Sequence, residues 1–111
     1  MTDNIESLKA KLIELDPYMI VLFGSHASGV PNKNSDIDLL VVTNDDFIPA
    51  NFDEQLNLQL TVSNHIFELA KKVPVDLIVY SIPMYRKFIE QNSVFAHEIN
   101  TRGKILYERG N

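Results

Sequence analysis

Cysteine and tryptophan are absent from this chain of 111 residues, glycine occurs at only four positions, and its apolar runs are short. Without cysteine there is no disulfide framework, no thiolate zinc site and no thiol nucleophile. The longest compact apolar run covers residues 18–23, far short of a membrane span. Since the N-terminus carries no secretory signal pattern either, we predict a cytoplasmic protein without a membrane partner.

Basic residues are also scarce. Ten Lys and Arg stand against 15 Asp and Glu, which gives a net charge of −5. A broad cationic face that would hold long nucleic acid is therefore not expected. Hydrophobic residues make up 45% of the chain and charged residues 23%, as in ordinary soluble domains. The length predicts one folded domain that spans residues 1–111.

Short apolar segments bounded by turn residues have the pattern of buried strands. They cover residues 18–23, 36–43, 75–80 and 104–108. Helical patterns lie before and between them, and Ser81 and Gly103 stand at predicted helix ends. We therefore predict a mixed α/β domain of the α+β type, with a mixed sheet of about four strands flanked by helices.

The longest helical pattern runs over residues 51–72, before Val73-Pro74. Two apolar sides are visible on this helix. We predict that the first side packs on the sheet; it consists of Phe52, Leu56, Leu60, Phe67 and Ala70. The second side consists of Leu58, Val62 and Leu69, and we expect either the last helices or a partner protein to cover it.

Two acidic residues stand where the second strand begins. Because side chains alternate along a strand, Asp36 and Asp38 lie on one face, with Cα atoms about 6.6 Å apart. Asp76 occupies a comparable place in the next strand, so the three carboxylates converge if the two strands are neighbours. Such a cluster of like charges favours a bound cation, and its oxygen ligands favour Mg²⁺ or Mn²⁺.

A glycine-containing turn follows the first strand. Gly24-Ser25 opens a predicted helical turn, whose backbone N–H groups and Ser25 hydroxyl are suited to phosphate oxygens. Mg²⁺ commonly binds through one or two carboxylates together with substrate phosphates. The turn and the acids together therefore predict a nucleoside triphosphate site. In two-metal phosphoryl chemistry, Asp76 is suited to help hold a second metal and to accept the proton of an attacking hydroxyl.

Gly24-Ser25, followed after ten residues by Asp36-Ile37-Asp38 and later by Asp76, resembles the G-S-x10-D-x-D signature of the DNA polymerase β-like nucleotidyltransferase superfamily. The small size, the Gly-Ser-x-Ala-x-Gly sequence and the ending Gly-Lys-Ile-Leu-Tyr-Glu resemble in particular the minimal nucleotidyltransferase (MNT) family. The resemblance implies a nucleotidyltransferase fold in which Asp36 and Asp38 bind two Mg²⁺ ions. It also implies that Asp76 completes a catalytic triad and that Gly24 and Ser25 hold the triphosphate.

One position departs from the family pattern, because His26 stands where relatives often carry Arg. The contact of this side chain with phosphate then depends on whether its imidazole is charged at neutral pH.

The resemblance further implies an enzyme that transfers AMP from ATP to a hydroxyl acceptor, acting as the antitoxin of a helical HEPN-like partner. The acceptor, the base preference and the oligomeric state stay open. A second hypothesis is a non-catalytic antitoxin or adaptor that only binds the helical partner. That hypothesis predicts that the partner contacts the side of the long helix formed by Leu58, Val62 and Leu69.

Overall fold

A computed structural model describes residues 2–29 and 36–109. In chain order the described residues form α1 (Thr2–Ile13), β1 (Met19–Phe23), α2 (Ser25–Ser28), β2 (Ile37–Val42), α3 (Phe52–His65), α4 (Phe67–Ala70), β3 (Val75–Tyr80), α5 (Ile82–Glu90), α6 (Val94–Arg102) and β4 (Lys104–Glu108). The loop predicted after α2 covers residues 30–35, which lie outside the described residues. None of the described helices is long and apolar enough to cross a membrane.

The strands form one mixed sheet in the order β3-β2-β1-β4. β1 is antiparallel to both β2 and β4, whereas β2 and β3 are parallel. Each predicted strand agrees with the observed one to within a residue at either end. The mixed α/β class and the sheet of four strands predicted from the sequence are therefore confirmed.

Both faces of the sheet are covered, because successive residues of each central strand point to opposite sides. α1, α3 and α4 cover one face, where Leu12, Ile20 and Leu39 belong to the larger core. α5 and α6 cover the other, where Val21, Leu40 and Ile99 belong to a second core. Aromatic rings extend the second core through edge contacts, with Phe23 and Phe95 at 5.5 Å and Phe88 and Phe95 at 5.6 Å between ring centroids.

The packing of the long helix differs from the prediction in two ways. The helical pattern is divided at Ile66, which has φ −107° and ψ 12°, so that α3 and α4 replace one helix. The two apolar sides of this helical pattern are also exchanged relative to the prediction. The side predicted to face the sheet is exposed, with Phe52 at 73% and Phe67 at 54%.

The other side of α3 packs in the core, where Leu58 is 7%, Val62 1% and Ile66 2% exposed. Leu69 of α4 packs against the same core. Both sides carry apolar residues at helical spacing, so periodicity could not distinguish them. The adaptor hypothesis predicted that a partner contacts Leu58, Val62 and Leu69. This prediction is wrong, because α1 and the sheet already cover these residues.

Candidate active site

The turn between β1 and α2 depends on Gly24. This residue has φ +73° and ψ −156°, a region that is essentially restricted to glycine. A Cβ atom at this position would collide with Oδ2 of Asp38. The glycine therefore lets the backbone of the turn approach a candidate metal-binding carboxylate directly. Ser25 begins α2, and the backbone N–H groups of Ala27 and Ser28 donate to the carbonyl of Gly24.

The register of the sheet brings two predicted catalytic acids together. Asp38 of β2 is the direct partner of Asp76 in the parallel strand β3, which separates their Cα atoms by about 4.8 Å. The carboxylate of Asp76 is close enough for its charge to raise the pKa of Asp38. The convergence predicted from the sequence required β2 and β3 to be neighbours, and they are.

The electrostatic surroundings of Asp38 favour its neutral form. Burial raises the pKa of the Asp38 carboxyl above its ordinary value, and the nearby carboxylates of Asp76 and then Asp36 raise this pKa further. The imidazole of His26 acts in the opposite direction but does not offset them. Asp38 thus lies in a concentration of negative charge that protonation or a cation would relieve.

Asp36 precedes β2, and its carboxylate, like that of Asp76, is exposed, whereas Asp38 is half-buried. The backbone N–H of the next residue, Ile37, donates to the carbonyl of Pro74, which ties the start of β2 to the start of β3. All three acids therefore stand at the same end of the sheet. Asp38 and Asp76 lie on the face that carries α5 and α6, since Leu40 and Ile78, two residues further along each strand, pack there.

The three acids are not arranged as a finished metal site. In the part of the chain that the structure describes, no three acidic or histidine side chains are close enough together to hold a metal ion. The chemistry of the donors nevertheless fits Mg²⁺, which prefers oxygen ligands and retains several waters. Because Asp36 and Asp76 are exposed, a change of side-chain rotamer can turn their oxygens toward Asp38 without disturbing the core.

His26 lies deeper in the site than the sequence suggested. It is only 8% exposed, on α2, and its imidazole interacts electrostatically with Asp38. Sequence reasoning considered it only as a contact for phosphate. The sequence offered no signal for this second role, because it depends on how the turn approaches Asp38 in the folded protein.

A pocket beside the sheet lies away from these acids. A cavity of about 270 Å³ is lined by Thr43 and Asp45, beyond the opposite end of β2. Thr43 is five positions after Asp38, which corresponds to roughly 17 Å along a strand. Asp36 and Asp76 of the candidate active site lie instead at the surface, where both are exposed.

The comparisons with known proteins agree with this fold. The polymerase β nucleotidyltransferase family model matches residues 6–111. A crystal structure of a toxin–antitoxin with AMP-PNP has 23% identity and a TM-score of 0.53, and the match covers 96% of this chain and 72% of that chain. A crystal structure of a toxin–antitoxin MntA–HpeT mutant has 22% identity and a TM-score of 0.51, with coverage of 97% and 72%.

A further similar structure is a protein of Sulfolobus solfataricus described as a nucleotidyltransferase. It has 21% identity and a TM-score of 0.60, and the match covers 97% of this chain and 86% of that chain. No curated protein sequence matches the chain. The family model extends over nearly the whole chain and includes the turn and all three acids. The chain therefore belongs to the polymerase β nucleotidyltransferase family, and the nucleotidyltransferase predicted from its motif is confirmed at the level of the family.

Proposed function

We propose that this protein is a Mg²⁺-dependent nucleotidyltransferase that moves AMP from ATP to a hydroxyl group of a helical, HEPN-like partner, for which it acts as antitoxin. The observation that carries the proposal is the meeting of Asp38 and Asp76 beside the Gly24 turn. Asp36 adds a third carboxylate whose charge reaches Asp38.

Different residues of the site would bind the metal and the phosphates. Asp36 and Asp38 would hold Mg²⁺, with Asp76 contributing to a second ion. A metal held there would supply positive charge to neutralise the phosphates and the leaving group. Gly24 permits the turn to approach the site, where Ser25 at the start of α2 binds phosphate oxygens.

The transfer step uses Asp76 as the base. Its carboxylate accepts the proton of the acceptor hydroxyl, and the hydroxyl oxygen forms a bond to the α-phosphorus of ATP. The bond from that phosphorus to the bridging oxygen breaks, and pyrophosphate leaves with the electron pair. Most of the acceleration then comes from positioning and charge neutralisation.

The choice of ATP and of a protein acceptor rests on similarity. One structure with the same fold is a toxin–antitoxin with AMP-PNP, and another is a toxin–antitoxin complex. The net charge of −5 also favours a protein acceptor over long RNA.

The first test is calorimetric titration of ATP into the protein with Mg²⁺ or with EDTA. We expect binding only with Mg²⁺, and its loss in the double variant Asp36→Asn, Asp38→Asn. The matched control is Asp45→Asn, Asp46→Asn, which removes the same charge from exposed positions beyond the other end of β2. ATP binding that requires neither Mg²⁺ nor the carboxylates of Asp36 and Asp38 would contradict the proposal.

The second test separates catalysis from binding. Asp76→Asn should retain ATP binding but slow pyrophosphate release by orders of magnitude in the presence of the HEPN-like partner. Label on the α-phosphate of ATP should appear on the partner, and label on the γ-phosphate should not. If ATP binds but no label is transferred, while the partner is still neutralised, the protein acts as a non-catalytic antitoxin and the proposed reaction is wrong.

A further inference from the structure

α3 and α4 carry exposed apolar residues on their outer side, which we call the α3 stripe and define as Phe52, Leu56, Leu60 and Phe67. These side chains are 73%, 40%, 40% and 54% exposed, in that order. Phe52, Leu56 and Leu60 recur every four residues and extend over about 12 Å along α3, and Phe67 follows at the start of α4. Single exposed apolar residues are ordinary, but four large ones on the outer side of consecutive helices indicate an interaction surface.

The stripe borders the edge of the sheet at β3, which among the described strands pairs only with β2. The carbonyls of Pro74 and Tyr80 accept bonds from β2 and from Thr43, so the alternating carbonyl of Leu77 points outward. Nε2 of Gln59 on α3 donates to that carbonyl at 3.2 Å. Because α3 covers the middle of the edge in this way, a partner packs more readily on the helix than as an added strand.

The charges at the two ends of the stripe have opposite sign. Asp46 precedes its first residue and Asp53 lies in the first turn of α3. Lys71 and Lys72 follow α4, and Nζ of Lys71 lies 4.8 Å from the ring centroid of Phe67. Lys71 is also 3.4 Å from Glu68, but both side chains are more than half exposed, so this ion pair contributes little.

A surface with these properties is complementary to itself. When two such stripes pack antiparallel about a twofold axis, the acidic end of each lies against the basic end of the other. The two helix dipoles are then also opposed, and Phe52 of one copy approaches Phe67 of the second copy. A parallel arrangement would instead place like charges together.

We propose that a second copy of this chain packs against the α3 stripe, antiparallel about a twofold axis near Leu60, so that Lys71 and Lys72 of each copy face Asp46 and Asp53 of the other. α3 lies on the face of the sheet opposite α5 and α6, whereas Asp38 and Asp76 lie on the α5 and α6 face. The dimer thus leaves the candidate active site open, and the proposal does not depend on nucleotidyl transfer.

Sedimentation velocity over a concentration series tests the dimer. We expect the wild-type protein to show twice the chain mass, with a dissociation constant in the micromolar range. Leu60→Glu should weaken this association at least about tenfold. The matched control is Val94→Glu, which places the same charge at a side chain that is 88% exposed on α6 and should leave the dimer intact. A wild-type monomer at tens of micromolar, or an equal effect of both variants, overturns the proposal.

A charge exchange distinguishes self-association from a different partner. One double variant carries Lys71→Glu and Lys72→Glu, and the other carries Asp46→Lys and Asp53→Lys. Each double variant alone should be a monomer, because the two ends of its α3 stripe then carry the same charge and repel the ends of a second copy. Their mixture should restore a heterodimer, detectable by native mass spectrometry, and a mixture that stays monomeric overturns the antiparallel arrangement. ATP titration into Leu60→Glu should match that of the wild type, which keeps this test separate from the test of the active site.

Discussion

At the scale of single residues, Gly24 is restricted both by its backbone and by a neighbouring carboxylate. Its φ of +73° and ψ of −156° are costly for any residue with a Cβ atom, and that atom would meet Asp38. We expect Gly24→Ala to lower the free energy of unfolding by about 2–4 kcal/mol and to abolish ATP binding. Urea unfolding and calorimetry measure the two effects.

Gly29 provides the control for this prediction. It has φ +84°, but a Cβ atom there meets nothing within 4 Å. Gly29→Ala should therefore show only the cost of the left-handed backbone, about 1 kcal/mol, and should keep ATP binding. Equal losses of stability in the two variants would show that the approach to Asp38 costs nothing.

Asp38 should destabilise the metal-free protein at neutral pH. Its pKa is raised in the folded state by burial and by Asp76 and Asp36, so the folded state holds its proton more tightly than the unfolded state. The stabilisation that this proton provides is fully present below the pKa that Asp38 has in the unfolded state. It is lost as the pH rises through the pKa that Asp38 has in the folded state. Without Mg²⁺, Asp38→Asn should raise the melting temperature by a few degrees at neutral pH, and this gain should shrink in acid.

Thermal unfolding in EDTA from about pH 4 to about pH 8 measures this difference. Asp45→Asn removes an exposed carboxylate and should show no such pH-dependent gain. With Mg²⁺ and ATP the order should reverse, because only the wild-type protein is stabilised by the ligand. A variant that is less stable than the wild type at every pH would mean that the carboxylate is held by favourable contacts rather than repelled.

At the scale of elements, α3 shows what periodicity can and cannot decide. The strands were predictable because each is a short apolar run between turn residues. α3 instead has apolar residues on two sides, and only contact with α1 and the sheet selects Leu58 and Val62 as the buried side. The break at Ile66 was not predictable either, since it involves neither glycine nor proline.

Two leucines of α3 test this assignment directly. Leu58 is 7% exposed and Leu56 is 40% exposed, so the same substitution samples the two sides of one helix. Leu58→Ala should cost about 2–4 kcal/mol because it leaves a cavity in the core, and Leu56→Ala less than about 1 kcal/mol. Urea unfolding at a concentration where the protein is monomeric measures both. Similar costs would mean that both sides of α3 are buried in solution.

The sequence identified some residues of the candidate site but not the contacts between them. Asp36, Asp38 and Asp76 were identifiable because strand alternation and the family spacing are local properties of the chain. The contact of Gly24 with Asp38 was not, because it depends on the antiparallel register that pairs Phe23 with Asp38. The burial of His26 beside the same carboxylate follows from that register too, and no sequence pattern reports it.

At the scale of the whole molecule, stability should be concentrated in the middle of the sheet. β1 and β2 have neighbours on both sides and are buried on both faces, whereas β4 is an edge strand with exposed residues at both ends. Opening the two central strands requires separation of both cores, which is equivalent to global unfolding. β4 can detach by losing chiefly its contacts with β1 and α1.

Amide hydrogen exchange in increasing urea should therefore separate the strands. Amides of Val21 and Leu40 should exchange only through global unfolding, with the full denaturant dependence of the unfolding free energy. Those of β4 should exchange at least about tenfold faster and with a weaker dependence, because their opening exposes less surface. Tyr107 reports on this edge, since it lies in β4 opposite Ile20. Equal protection in β4 and β1 would show that the sheet opens only as one unit, and that the two cores are a single cooperative structure.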